Sequence, residues 1–421
     1  MFQPLKQLMS PINKDLRKRI LFTLGALLIF VVGTGIQIPG TPNVTGSLGF
    51  LDLINVMGGG ALKQFSIFAL GVMPYITASI ITQLLQMDII PYFSELKEQG
   101  PVGRQKINQI NRYMGIIFAF IEGFAFAFAF LGSGQPTLEY MYVATIMTAG
   151  TAFLLWLGDQ ITQKGLGNGI SLIIMAGIIS ELPNMFITAF NELIVEGNLA
   201  LPWGIAAFVG FVIIYFLVII GVIFIENSER KIAIQYANKT SSAVGSNQSY
   251  MPIKLNSAGV VPVIFASSLL AIPATIAQFV KNEGFTNFVN TYLNYTTPVG
   301  FLIFVVLIYF FAYFYTFLQL KPDELAKNLQ NNGGFIPGVR PGKDTEKHIS
   351  GILSKLTIVG GLFLVIISGL PIIFSNVSKL PATVTIGGTS LLIVVGVALE
   401  TYKQLEGSLV TRTYKKGYSR R

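Results

Sequence analysis

The sequence predicts an all-α integral membrane protein, with ten transmembrane helices in two inverted pseudo-symmetric halves of five and a short re-entrant helix. Three observations carry this expectation. Of 421 residues, 52% are hydrophobic and only 12% charged, about half the charged share of an ordinary soluble domain. Long apolar stretches recur between the charges, each near the roughly 20 residues a helix needs to cross hydrocarbon. Two segments also occur twice. The stretches 71–79 and 259–267 both read G-V-x-P-x-I-x-A-S, and 169–177 and 388–396 both read G-x-S-L-x-I-x-x-G. Such repetition in a membrane chain signals related halves with a pathway along their seam.

The gaps between charges place the spans at about 20–38, 66–87, 113–133, 140–158, 166–189, 202–225, 257–280, 299–320, 356–375 and 383–400. The first lacks a small-residue cleavage site and runs into Gly40-Thr41-Pro42, so it is expected to persist as a span rather than leave as a signal peptide. The repeated motifs fall in the second and seventh spans and in the fifth and tenth. Equivalent helices are thus five apart, and an odd number per half turns one half over in the membrane.

Charge sets the orientation. With the N-terminus inside, all of the 29 lysines and arginines except Lys63, Lys281 and Lys379 fall on the inner side. That bias puts both termini in the cytoplasm. The net charge of +9 is then mainly a topology signal, and DNA is not an expected partner. The organisation expected is a cytoplasmic N-terminus (1–19), a first half (20–190), a second half (191–402) and a basic cytoplasmic tail (403–421).

Three segments do not span. Residues 47–63 include Phe50, Leu51, Asp52, Leu53, Ile54, Asn55, Val56 and Met57, followed by Gly58, Gly59 and Gly60. This stretch is apolar but too short to cross, and it reads as a short re-entrant helix with a flexible glycine exit. In the inner loop 226–256, two short extended runs flank a polar, turn-rich stretch, which predicts a cytoplasmic hairpin. In 321–355, Pro322, Asp323 and Glu324 suit a helix first turn and Gly333-Gly334 its end. The run 335–342 then forms a proline-fixed tip presenting Arg340.

The chemistry is defined partly by what is missing. There is no cysteine and a single histidine, His348, which excludes disulfides, thiolate metal sites and multi-histidine metal centres. No paired carboxylates, nucleophile–base arrangement or P-loop is present, so no enzyme and no cofactor is expected. Within the spans Glu122 is the main ionisable group, with Asp159 and Glu400 near inner ends. Ion-coupled transporters normally keep such groups on their pathway. The glycine-rich 165–169 reads as a closely packed helix start more readily than as a phosphate cradle.

The repeat pairs Ile76 with Ile264 and Ile174 with Ile393. Ile80 and Ile178 lie one turn further along the same faces. Six isoleucines converging from four helices would make a narrow dry collar; lipid-facing or packing positions are the alternative. Gly71 with Pro74, and Gly259 with Pro262, should weaken the second and seventh helices at matching places, either as movable walls or as ordinary kinks. Arg340, Arg230 and Lys231 form a basic cytoplasmic cluster.

At these residues the chain resembles the SecY family of bacterial protein-conducting channels. The likeness covers nearly the whole chain. It rests on five strings in order: 69–76 continuing to Gln83-Leu84-Leu85, then 165–171, 252–260 continuing through 265–268, 331–342 and 387–393. It implies an hourglass of ten helices, with a pore ring of Ile76, Ile80, Ile174, Ile178, Ile264 and Ile393. Residues 47–62 become the plug. Helices two and seven become a lateral gate carrying Pro74, Ser79, Gln83, Pro262, Ser267 and Ser268. Arg230, Lys231, Arg340 and Lys343 become contacts for the SecA ATPase or the ribosome. The implied partners are SecE and SecG, signal peptides, nascent chains and membrane lipids, in the bacterial cytoplasmic membrane. The resemblance does not place Glu122. An accessory form serving a few exported glycoproteins is a variant of this reading, against which the Arg340 tip and basic tail weigh. A secondary transporter and a structural scaffold are the alternatives.

Overall fold

The computed structural model describes residues 14–42, 55–56, 58–86, 90–132, 134–195, 201–236, 249–279, 283–294, 297–378 and 387–418. Its helices are α1 (Lys14–Thr34), α2 (Met73–Leu85), α3 (Pro91–Glu98), α4 (Pro101–Leu131), α5 (Thr137–Lys164), α6 (Gly169–Phe190) and α7 (Leu201–Asn227). After the strands β1 (Glu229–Tyr236) and β2 (Ser249–Lys254) come α8 (Val261–Phe279), α9 (Glu283–Phe288), α10 (Pro298–Gln319) and α11 (Pro322–Asn331). Strand β3 (Gly334–Phe335), α12 (Lys343–Ser378) and α13 (Gly387–Tyr418) complete the order.

Each expected span contains a described helix. Six helical stretches among the described residues are long and apolar enough to cross a membrane: Pro101–Leu131, Thr137–Lys164, Gly169–Val195, Pro202–Asn227, Pro298–Asn331 and Lys343–Leu370. The boundaries differ from expectation wherever charges continue a helix into water. Helices α4, α12 and α13 run well past the apolar stretches, because lysine, glutamate and glutamine are good helix formers with no reason to stop at a membrane surface. The segment 88–112, between the second and third expected spans, holds α3 and the first turns of α4.

The second span needs a larger correction. Ser66 bridges to Gln37, residues 67–72 are turns, and α2 begins only at Met73. The Gly–Pro pairs therefore do not kink helices two and seven part-way along. They start them. Gly71 and Gly259 adopt φ of +56° and +62°, a region open to glycine. Pro74 and Pro262 occupy first-turn positions, where proline's missing N–H costs nothing. In both copies the glycine N–H reaches back three residues, Gly71 to Phe68 O (2.8 Å) and Gly259 to Asn256 O (3.4 Å). The repeat seen in sequence is thus a repeat of backbone geometry.

Packing sorts the helices into two groups. In the first half, α1 lies on α5 and α6, α2 on α4, α4 on α5, and α5 on α6. In the second, α8 lies on α10, α10 on α12, and α13 on α7 and α12. The groups meet where α13 packs on α6 and α8 touches α4. Outward faces are apolar: Trp203, Phe216, Leu217, Ile220 and Phe224 along α7 are all exposed, as suits a helix whose solvent is lipid.

The glycine-rich junction 165–169 ties several elements together. Thr23 Oγ1 on α1 accepts from Leu166 N (3.0 Å), and Thr162 Oγ1 on α5 accepts from Gly169 N (2.9 Å). Asn168 caps α6 by accepting from Ile170 N and Ser171 N. A Cβ at Gly169 would lie 1.9 Å from Gly158 O. These amides already have partners, so the loop is a packing junction and not a phosphate cradle.

Candidate pore, gate and cytoplasmic docking surface

One apolar cluster sits at the meeting of the halves. It contains Ile174 and Ile178 of α6 and Ile393 of α13, all buried, with Ile76 of α2 and Ile264 of α8 packed against them. Five of the six candidate ring positions thus come together from four helices. The sixth, Ile80, one turn along from Ile76, is half-buried and packs instead against the neighbouring cluster that holds Val263, Phe265, Ala266 and Leu270 of α8.

Of the candidate plug residues, Phe50, Leu51, Asp52, Leu53, Ile54 and Met57 lie outside the described residues. Asn55 and Val56 are helical, and 58–72 runs in turns. Val56 joins the same apolar cluster as the isoleucines. Asn55 is fully buried, and its Oδ1 accepts from Lys63 N (3.0 Å). Gly59 and Gly60, at φ of +71° and +79°, lie on α6; Cβ atoms there would come within 2.8 Å of Ser180 Oγ and 2.7 Å of Glu181 Oε2. The glycines were expected to give flexibility, and in the structure they also give close approach.

Along the seam, Gln83 Nε2 donates to Ser79 Oγ (3.2 Å) on α2. On α8, Ser267 Oγ donates to Val263 O (2.8 Å), and Ser268 Oγ is buried with no partner. Pro74 and Pro262 are buried at the starts of the two helices. Glu122 is half-buried on α4 and has no ion-pair partner among the described residues. Asp159 pairs with Arg112, joining α5 to α4.

The two loops 226–256 and 321–355 form one body, which sequence reasoning did not foresee. Strands β1 and β2 make the expected hairpin, with Arg230 opposite Ile253 and Lys231 opposite Pro252. Strand β3 adds to the far side of β1, pairing Phe335 with Gln235 and Gly334 with Tyr236. Beneath the sheet, Ile232, Ile234 and Ile253 share a core with Leu329 of α11, Ile336, and Ile349 and Leu353 of α12. The sequence signal was the alternation of isoleucines in β1; its partner surface lies about a hundred residues on in the chain.

This body aims the basic residues outward. Ile336 is buried while Pro337, Gly338 and Arg340 are exposed. Thr345 Oγ1 donates to Arg340 O (2.8 Å), and Val339 N to Ile336 O (3.1 Å). Gly338 and Gly342 take φ of +81° and +98°, turning the chain sharply on either side of Arg340. Arg230, Lys231 and Lys343 are exposed on the same body, and Lys231 pairs with Glu229 at 3.7 Å.

A model of the SecY family matches residues 66–402. The chain belongs to the SecY family. It is 48% identical over 418 residues to the protein translocase subunit SecY of Staphylococcus epidermidis, with 96% of each chain covered. It is 46% identical over 420 residues to the subunit of the same name from Staphylococcus aureus, again with 96% of each covered. Among solved structures, one described as a protein conducting channel superposes with a TM-score of 0.65 at 20% identity, covering 93% of this chain and 92% of the other. Sec61 in a canine ribosome–channel complex superposes with a TM-score of 0.61 at 19% identity and the same coverage. At such identities the likeness is one of fold.

Proposed function

We infer that this chain is the channel subunit of a protein translocase. It passes unfolded, signal-bearing preproteins across the cytoplasmic membrane and releases transmembrane segments sideways into lipid. The observation that carries the reading is the convergence of Ile76, Ile174, Ile178, Ile264 and Ile393 from both halves in one apolar cluster. Branched aliphatic side chains exclude water and ions when closed. They hold nothing tightly, so an extended polypeptide can slip past. Together with Ile80, one turn further along α2, they are the proposed pore ring, and 47–62 is the proposed plug, whose Val56 joins the same cluster.

The seam between α2 and α8 serves as the lateral gate. A signal helix enters there because its apolar face gains by leaving water for lipid. Energy comes from outside the chain, from the SecA ATPase or from ribosomal synthesis. Arg230, Lys231, Arg340 and Lys343 on the cytoplasmic body are the proposed contacts. Two of the similar folds were solved in ribosome complexes, canine Sec61 and yeast Ssh1, which supports a ribosome as one partner. SecE and SecG are proposed as the small membrane partners, and both termini are proposed to be cytoplasmic.

The test is reconstitution of the chain with its SecE-like partner into proteoliposomes, with SecA, ATP and a signal-bearing preprotein. ATP-dependent protection of the preprotein from protease is the expected result. No protection from a folded, complete complex would overturn the reading and reopen the small-solute transporter, for which Glu122 is the candidate ligand.

A further inference from the structure

The starts of α2 and α8 share one backbone design, yet they are anchored by opposite chemistry. Each has a left-handed glycine, a proline in the first turn, and an anchor residue three positions before the glycine. At α2 the anchor is Phe68. Its ring is buried between Phe30 and Phe153, with stacked centroids at 6.1 Å and 5.8 Å. Gly33 of α1 leaves room for the ring, since a Cβ there would fall 2.0 Å from it. Thr151 Oγ1 of α5 donates to Gly71 O at 3.1 Å. This root is apolar: Phe68 is buried, and the cavity of about 550 Å³ that it lines with Gly33, Ile67, Gly150 and Phe153 offers almost no polar group to water.

At α8 the anchor is Asn256. It is 4% exposed and its Nδ2 makes two bonds, to Glu226 Oε1 on α7 (2.8 Å) and to Gly259 O (3.1 Å). Asn256 thus does for Gly259 what Thr151 does for Gly71, while also reaching a carboxyl group on the neighbouring helix. Both residues line a cavity of about 570 Å³, together with Lys254, Glu400, Lys403 and Gln404. Aromatic packing cannot be exchanged for anything else. Hydrogen bonds beside a polar cavity can be, because water can replace each partner.

The same turn joins two working parts. Strand β2 ends at Lys254, and Leu255 N donates to Ser228 O (2.9 Å) at the foot of β1. Helix α8 begins soon after, at Val261. Helix α12 crosses the turn at Gly360, where a Cβ would lie 2.9 Å from Leu255 O. Displacement of the hairpin therefore bears on Asn256 before it reaches α8.

We propose that Glu226 and Asn256 form a latch that holds the root of α8 against α7 in the closed seam, and that a cytoplasmic partner pulling on the β1–β2 hairpin releases it. The proposal deepens the channel reading and rests on it for its link to transport. Glu226 and Asn256 are positioning residues: neither touches the passing chain. The asymmetry also assigns the motion. The α2 root stays, and the α8 root moves.

The experiment uses the complete translocase in vesicles and compares export of a preprotein bearing a weakened signal with export of its intact-signal counterpart. Asn256→Asp replaces the donor by an acceptor at constant size, and Glu226→Ala removes the other partner. Loss of a charge-assisted buried bond should raise the weakened-to-intact export ratio roughly tenfold. Glu226→Gln keeps an acceptor and should stay near wild type. The Glu226→Ala, Asn256→Asp double variant should be no stronger than Asn256→Asp alone, because Asn256→Asp already loses the bond that Glu226→Ala removes. A second measurement stands apart from transport. The chain has no cysteine, so Ser79→Cys and Ser268→Cys can carry spin labels across the seam. In the resting complex the latch variants should lengthen or broaden the label distance. An unchanged distance in a folded Asn256→Asp complex, or additive export effects, would overturn the latch. A wild-type complex that exports nothing would instead count against the channel reading, while the label distance would still decide the latch.

Discussion

Replacing Ile336 by alanine isolates the role of the tip at 335–342. Ile336 is 5% exposed and packs in a core with Ile232, Ile234, Ile253, Leu329, Ile349 and Leu353. Arg340 follows four residues later, on a turn held by Val339 N to Ile336 O and Thr345 Oγ1 to Arg340 O. Truncating a buried isoleucine costs about 2–5 kcal/mol, from lost burial and the cavity left behind. This core is separate from the clusters within the spans, so the cost falls on docking of the tip rather than on the whole protein. At about 1.4 kcal/mol per factor of ten, the undocked population rises roughly 30-fold to 4,000-fold. Amide exchange reads this directly, because protected amides exchange in proportion to local opening. Residues 334–342 should lose protection by that factor while the spans stay unchanged. SecA-driven translocation should fall towards the level of Arg340→Ala. If exchange rises as expected but translocation holds, a shaped presentation of Arg340 is not what the partner reads. If translocation falls with exchange unchanged, Ile336 acts by some other route.

Other outcomes follow from the same structure. Deleting residues 50–60 should raise the resting ion conductance of reconstituted channels, and an unchanged conductance would remove the plug assignment. Ile178→Gly should also raise resting leak, since it takes a buried branched side chain out of the cluster at the seam; planar-bilayer recording decides it. Glu122→Gln should leave protein translocation within about twofold of wild type, whereas a transporter using that carboxyl would lose activity. Gly150→Ala would put a Cβ 1.8 Å from Ile67 O, pushing α5 off the root of α2. A loss of about 1–3 kcal/mol, seen as a lower thermal midpoint in detergent, is expected.

What could be read from the chain was whatever depends on local composition. The spans were legible because apolar runs between charges report directly on the solvent each residue prefers. The hairpin was legible because the alternation in 229–236 repeats every second residue. The repeat was legible too, but its meaning was not. Glycine followed by proline reads as a kink or as a helix start according to whether helix precedes it, and 66–72 is as apolar as any span. Only the tertiary structure showed turns there, because Phe65, Ser66 and Ile67 spend their backbone groups on Ile38, Ala61 and Ile36 instead of on a helical turn.

Amino-acid order by itself determined the membrane class, the positions of the spans and the pairing of the halves, since each follows from short-range pattern. It also marked the isoleucines at matched places. Their meeting in one cluster, the departure of Ile80 to the neighbouring one, and the joining of two distant loops into one basic platform were decided by packing. So was the contrast between Phe68 and Asn256. Side chains three residues before two identical glycines look like unrelated letters in a sequence. They become an apolar anchor and a polar one only when α1 and α5 close over the first while α7 brings Glu226 to the second.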